Sequence, residues 1–181
     1  ISAERIWMET KKLLAAPQPM PALRAMEASG VLAQLFPEVK GLDLLDRLVT
    51  LARGGDVAAD PMQRVLALFW KDEAAMRAVC NRLKLSDEER NRLNRAVADQ
   101  SYLDGATPAQ VRAAIYRSGG RVVKDRATLA LAASGAAHWR IVLTTAETWS
   151  PPVMPLSGEL PTLAVCLPTA RTSSRCSVLT H

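Results

Sequence analysis

Ser86-Asp87-Glu88-Glu89 is a capping box, in which the Ser86 hydroxyl and the Glu89 carboxylate, three residues apart, can each satisfy the other's backbone N–H. Thr107-Pro108-Ala109-Gln110 repeats the signal with Pro108 at the first helical position. Asp60-Pro61-Met62-Gln63 is a third helix start, and Ser2 with Glu4 in the first turn is a fourth. Stops follow the starts. Gly30, Gly54-Gly55 and Gly119-Gly120 stand where helices must end. Punctuation this frequent confines the chain to short helices joined by tight turns.

The apolar spacing agrees. Ile6, Thr10, Leu13 and Leu14 fall on one face of a first helix, which Pro17, Pro19 and Pro21 break. A second helix runs through Leu23 and Met26 to Ser29-Gly30, and VLAQLFPE makes an apolar turn closed by Pro37. LDLLDRLVTLAR, from Leu42 to Arg53, presents Leu44, Leu45, Leu48 and Leu51 at helical spacing. Val65, Leu66, Phe69 and Trp70 form the next buried face. A helix from about Asp72 to Leu83 buries Met76, Val79, Cys80 and Leu83 and exposes Arg77. Val122, Val123, Leu129 and Leu131 anchor another, and HWRIVLTTAETW, from His138 to Trp149, is the last before Pro151-Pro152. The apolar 49% of the 181 residues is mostly Ala and Leu, and strand-forming runs are scarce. The expectation is an all-α fold of about nine helices, without a fixed repeat length that would make it a solenoid.

Catalytic machinery is not visible. His138 precedes Trp139 on a helix and reads as a packing or surface residue; His181, the other histidine, is the last residue. Asp43 with Asp46, Asp72 with Glu73, and Asp87 to Glu89 sit near helix N-termini, where the dipole stabilises carboxylates. No D-x-D or HExxH pattern occurs, and neither Gly-Gly pair belongs to a phosphate loop. Cys80, Cys166 and Cys176 give no zinc or disulfide spacing, so a reducing, cytoplasmic setting is expected. No run approaches the ~18 to 20 apolar residues of a membrane span.

The basic residues are more informative. The formal charge is +5, and Arg112, Arg117, Arg121, Lys124 and Arg126 face only Asp125 across one short segment. A helix, Gly-Gly, helix junction rimmed by such groups suits a phosphate backbone; the same residues also suit a solvated helix face. Arg82, Lys84, Arg90, Arg92 and Arg95 form a second cluster, with Asp87, Glu88 and Glu89 interspersed to pair with several of them. With few aromatics, RNA contact is expected to run through backbone and shape rather than base stacking. Trp7, Trp70, Trp139 and Trp149 read as core.

Three runs add a family. ISAERIWMETKKLL resembles the segment after the catalytic head of class II CCA-adding tRNA nucleotidyltransferases and the related bacterial poly(A) polymerases, through Ser2, Glu4, Arg5, Ile6, Glu9, Lys12, Leu13 and Leu14. MPALRAMEASGVLAQLFPE is similar to the run that follows there, through Ala22, Leu23, Met26, Gly30, Val31, Leu32, Leu35, Phe36, Pro37 and Glu38. PPVMPLSGELPTLAV resembles the opening of that family's tail domain, through Pro152, Met154, Pro155, Leu156, Gly158 and Leu160, with Glu159 in place of Asp.

The resemblance implies a helical neck, body and tail that hold a tRNA or other RNA while the head adds nucleotides to its 3′ end. Residues 1–40 would end the neck, 41–150 form the body and 151–165 begin the tail. CLPTARTSSRCSVLTH, residues 166–181, departs from the family pattern and reads as a disordered or out-of-frame end, which leaves the tail incomplete. The head's motifs, including the D-x-D pair for magnesium and the E-D-x-x-R motif for CTP or ATP, have no counterpart here. The chain is therefore expected to hold no cofactor and to be inactive alone, and the opening at Ile1 reads as a cut through a longer protein. Arg112, Arg117, Arg121, Lys124 and Arg126 are the first candidates for phosphate contacts, with Arg82, Lys84 and Arg90 second. A helical protein-interaction module without an RNA role is the alternative.

Overall fold

A computed structural model of the chain describes residues 2–98 and 103–149. Among the described residues are ten α-helices and no strand: α1 (Ala3–Ala15), α2 (Met20–Ala28), α3 (Val31–Leu35), α4 (Asp43–Arg53), α5 (Pro61–Leu68), α6 (Glu73–Arg82), α7 (Asp87–Ala98), α8 (Pro108–Ser118), α9 (Gly120–Ser134) and α10 (His138–Thr148). The additional helix is α3, where VLAQL closes a full turn after Gly30 adopts φ 76°. None of these helices is long and apolar enough to cross a membrane. The tail resemblance, residues 166–181, Cys166, Cys176 and His181 lie outside the described residues.

The predicted starts form as the sequence requires. Ser2 Oγ accepts from Arg5 N–H at 3.3 Å, and an Asp60 carboxylate oxygen accepts from Met62 N–H at 2.8 Å. The Ser86/Glu89 box closes with bonds of 3.4 and 3.3 Å. In the Thr107/Gln110 box, Thr107 N–H donates to Gln110 Oε1 at 2.8 Å and Thr107 Oγ1 accepts from Gln110 N–H at 3.4 Å. Each cap satisfies donors that a helix N-terminus leaves orphaned.

Helix α5 is the centre of the larger core. It packs on α1, α4, α7 and α9, and every residue from Met62 to Leu68 is buried. That burial takes in Gln63 and Arg64, which the apolar pattern does not predict. The Arg64 guanidinium donates to the carbonyls of Leu14 at 2.5 Å and Ala16 at 2.6 Å, closing the C-terminal end of α1 from a neighbouring helix. On α1 itself the fully buried residues are Trp7 and Leu14, while Ile6, Thr10 and Leu13 are only half-buried. The expected face is thus divided: one stripe enters the core and the adjacent one lines a cleft against Met26 and Leu35.

A second cluster gathers Val111, Ile115, Val123, Leu131, Val142 and Leu143 where α8, α9 and α10 meet. Helix α9 serves both clusters, giving Val122, Leu129 and Ala132 to the first and Val123, Ala127 and Leu131 to the second. Of the charged residues on α9, Asp125 is buried while Arg121 stays exposed.

Candidate nucleic-acid interface

Helices α8 and α9 share one residue as boundary. Gly119 ends α8, donating its N–H to Ile115 O at 2.8 Å, and starts α9 with φ 88° and ψ 143°. That φ lies in the region where glycine avoids the strain an L side chain meets, so the sharp turn needs this residue. The first backbone bond into α9 is Val123 N–H to Gly119 O at 3.2 Å, and no side chain caps the helix. Its positive end lines a cavity of about 360 Å³ with Asn91, Arg92 and Arg95 of α7 on the opposite wall.

The five cations of the first cluster point in different directions. Arg112 and Arg117 stand exposed on α8, with no ion pair or side-chain hydrogen bond among the described residues. Arg121, exposed at the rim of the cavity, is 3.7 Å from Glu88, itself exposed. Lys124 pairs with Glu147 of α10 at 2.6 Å. Arg126 turns inward, donating to Ala96 O at 3.2 Å with its guanidinium 5.9 Å from the centre of the Trp70 ring. Arg112, Arg117 and Arg121 are therefore the outward members. Tyr116, 77% exposed and four residues after Arg112, is a residue the sequence reading passed over. An aromatic between two arginines on a polar helix face was the available signal.

Two members of the second cluster, Arg82 and Lys84, are tied to the first forty residues, whereas Arg90 is paired locally. Arg82 makes a two-pronged pair with Glu38 at 2.8 and 2.9 Å and donates to Leu35 O at 3.0 Å. Lys84 meets Glu4 at 3.2 Å, and Arg90 meets Asp87 at 3.3 Å and Leu85 O at 3.0 Å. Single exposed pairs of this kind are worth about 0.2–1 kcal/mol, so a phosphate can displace them; the Arg82 fork yields less readily.

The first turn of α7 joins the two areas. Glu89 accepts from Trp7 Nε1 at 3.0 Å and from Lys11 Nζ at 2.7 Å, while its neighbour Glu88 reaches Arg121. Burial alone would raise the Glu89 pKa, but the bonds from Lys11, Trp7 and Ser86 outweigh it and hold the carboxyl below its ordinary range.

Beneath the surface lies a buried ionic network. Asp125, 1% exposed, accepts two bonds from Arg92, each at 2.7 Å, and one from Gln63 at 3.0 Å. Arg92 also reaches Asp60 at 2.5 Å, so the residue capping α5 is joined to α7 and α9. Burial disfavours the Arg92 charge, yet the bonds to Asp125 and Asp60 more than restore it and push its pKa up. Burial would likewise raise Asp60, but Arg92 and the Met62 N–H hold it below the usual carboxylate range. Asp125 is thus a clasp between helices, not a counter-charge facing solvent.

The remaining candidates carry little. His138 Nε2 stands 2.5 Å from an Asp104 carboxylate oxygen, and its ring lies 5.2 Å from that of Trp139. Cys80 is buried, and burial pushes its thiol up to about 11. No group of three or more His, Cys, Asp and Glu among the described residues is placed to hold a metal ion.

Residues 1–42 match the family model described as the probable RNA and SrmB-binding site of polymerase A. No curated protein and no solved structure gives a significant match to the chain. The family match supports a poly(A) polymerase-related region over residues 1–42.

Proposed function

We propose that this chain is an RNA-binding region of a nucleotidyltransferase of the poly(A) polymerase or CCA-adding kind. It grips a tRNA or another RNA and presents the 3′ end to a catalytic head whose motifs its own sequence does not contain. The observation that carries this reading is the match of residues 1–42 to a model described by RNA binding. The outward cations of the α8–α9 corner support it, because Arg112 and Arg117 have no partner among the described residues and Arg121 meets only the exposed Glu88, at 3.7 Å. Lys84, Arg90 and Lys124 join when phosphate replaces their carboxylate partners. Magnesium and CTP or ATP belong to the head in this reading, and the setting is cytoplasmic.

Titration of the full chain with a tRNA transcript tests the proposal. Log affinity should fall linearly with log salt as phosphate contacts release counterions. Absence of binding, or binding indifferent to salt, would remove the reading. Incubation of the chain alone with CCA-less tRNA and nucleotides should yield no incorporation; measurable addition would overturn the assignment of catalysis to a separate head.

A second reading has an observation of its own. The cleft of about 380 Å³ lined by Ile6, Thr10, Leu13, Met26 and Leu35 lies within the matched segment and is mostly apolar. It suits the side of an amphipathic helix from a protein partner, in keeping with the second half of the family description.

A further inference from the structure

Six hydroxyls inside helices of this protein follow one habit. Thr10, Thr50, Ser134, Thr144, Thr145 and Thr148 each donate to the carbonyl four residues back, at 2.8 to 2.9 Å. Thr128 of α9 does not. It is 1% exposed, and its hydroxyl has no protein partner among the described residues. A buried hydroxyl left without a bond is disfavoured and calls for an explanation.

Thr128 lines a cavity of about 120 Å³ between α9, α10 and the start of α5. That is space for roughly four waters, or for one planar heterocycle. Thr128 and the buried Gln63 stand deep in the lining, and Thr144 adds to its wall. Lys124 with Glu147 at 2.6 Å and Arg140 with Asp56 at 2.8 Å are partly exposed and frame the opening. Two cations and two carboxylates, paired within themselves, cancel in charge. The lining therefore suits a neutral group rich in donors and acceptors better than a bare ion.

Arg121, Lys124 and Thr128 follow one another at three and four residues, so they form one stripe along α9. The stripe descends from the exposed arginine at the α8–α9 corner to the unpaired hydroxyl, about 10 Å along the helix axis. We infer that this cavity receives a base of the bound RNA, splayed from the strand, with the Thr128 hydroxyl bonded to its edge while Arg121 holds a nearby phosphate. Unstacked bases are ordinarily read in this way, by their edges in a shaped pocket. The inference rests on the RNA-binding proposal above.

The test uses the full chain and a fluorescent single-stranded oligoribonucleotide ending in ACCA, intact or with an abasic ribose at each position in turn. Thr128→Val should raise the melting temperature, since it removes a stranded hydroxyl. It should also weaken RNA binding about three- to tenfold with an unchanged salt slope. One abasic position should reproduce that loss in the wild type and add nothing in the variant, and Thr128→Ser should restore affinity. Salt-dependent binding that ignores both Thr128→Val and every abasic position overturns the base pocket and leaves the RNA reading standing. No salt-dependent binding by the wild type removes both. The abasic series on the wild type decides the matter even if Thr128→Val fails to fold.

Discussion

Helices α6 and α7 and helix α8 are comparably rich in arginine, yet they use it in opposite ways. On α6 and α7, Arg77 pairs with Glu73, Arg82 with Glu38, Arg90 with Asp87 and Arg92 with Asp125 and Asp60. On α8, whose sequence PAQVRAAIYRS contains no acid, Arg112 and Arg117 project without a partner among the described residues. Arginine density alone would rank the two regions alike, with five in the 22 residues of α6 and α7 and two in the 11 of α8. Availability of the charge separates them, and availability depends on carboxylates distant in sequence: Glu38 is 44 residues from Arg82, and Asp125 is 33 from Arg92.

Breaking the committed side should cost most. Asp125→Ala leaves the Arg92 charge buried without its main partner, and a loss of about 3–5 kcal/mol in unfolding free energy is expected from urea denaturation. Replacing both with leucine should cost less than either single change. A loss below about 1 kcal/mol for Asp125→Ala would show that the clasp is dispensable. Leu66→Ala, at a fully buried position of α5, should cost about 2–5 kcal/mol by the same measurement, whereas Arg112→Ala should stay within about 0.5 kcal/mol of the parent.

Acid sharpens the contrast in a different way. The folded-state pKa values of Asp60 and Glu89 lie below those of free carboxyls, so their contribution is complete above the unfolded values near pH 4 and fades as pH falls through the folded ones. Unfolding free energy measured from pH 6 downward should decline below about pH 4, and Asp60→Asn should flatten part of that decline. The smallest effect on the fold is expected on α8. Arg112→Ala and Arg117→Ala should leave melting unchanged while each lowers the RNA salt slope by about 0.7–0.9. An unchanged slope would disconnect these two residues from phosphate.

Much of the fold is legible because helix boundaries are local. The boxes at Ser86/Glu89 and Thr107/Gln110, the Asp60-Pro61 start and the Gly30 and Gly119 turns are each written within four residues. The burial of α5 is not, since Gln63 and Arg64 look like surface residues until α1 and α9 close over them. The candidate site was legible as composition but not as direction. Five cations between Arg112 and Arg126 read as one patch, and the fold turns Arg126 inward onto Trp70 while Lys124 engages α10. Thr128 gave no signal at all, because an unpaired hydroxyl is a property of what surrounds it.

The clamp that Arg64 places on Leu14 and Ala16 has a consequence for motion. Fraying of the last turn of α1 would strand a guanidinium that is otherwise buried in the core, so that turn cannot loosen by itself as helix ends ordinarily do. Its amide hydrogens should exchange with solvent only when α5 also opens, at the rate of the core rather than of a frayed helix end. The segment similar to an RNA-binding family is in this respect anchored, and whatever docks on α1 meets a surface already set.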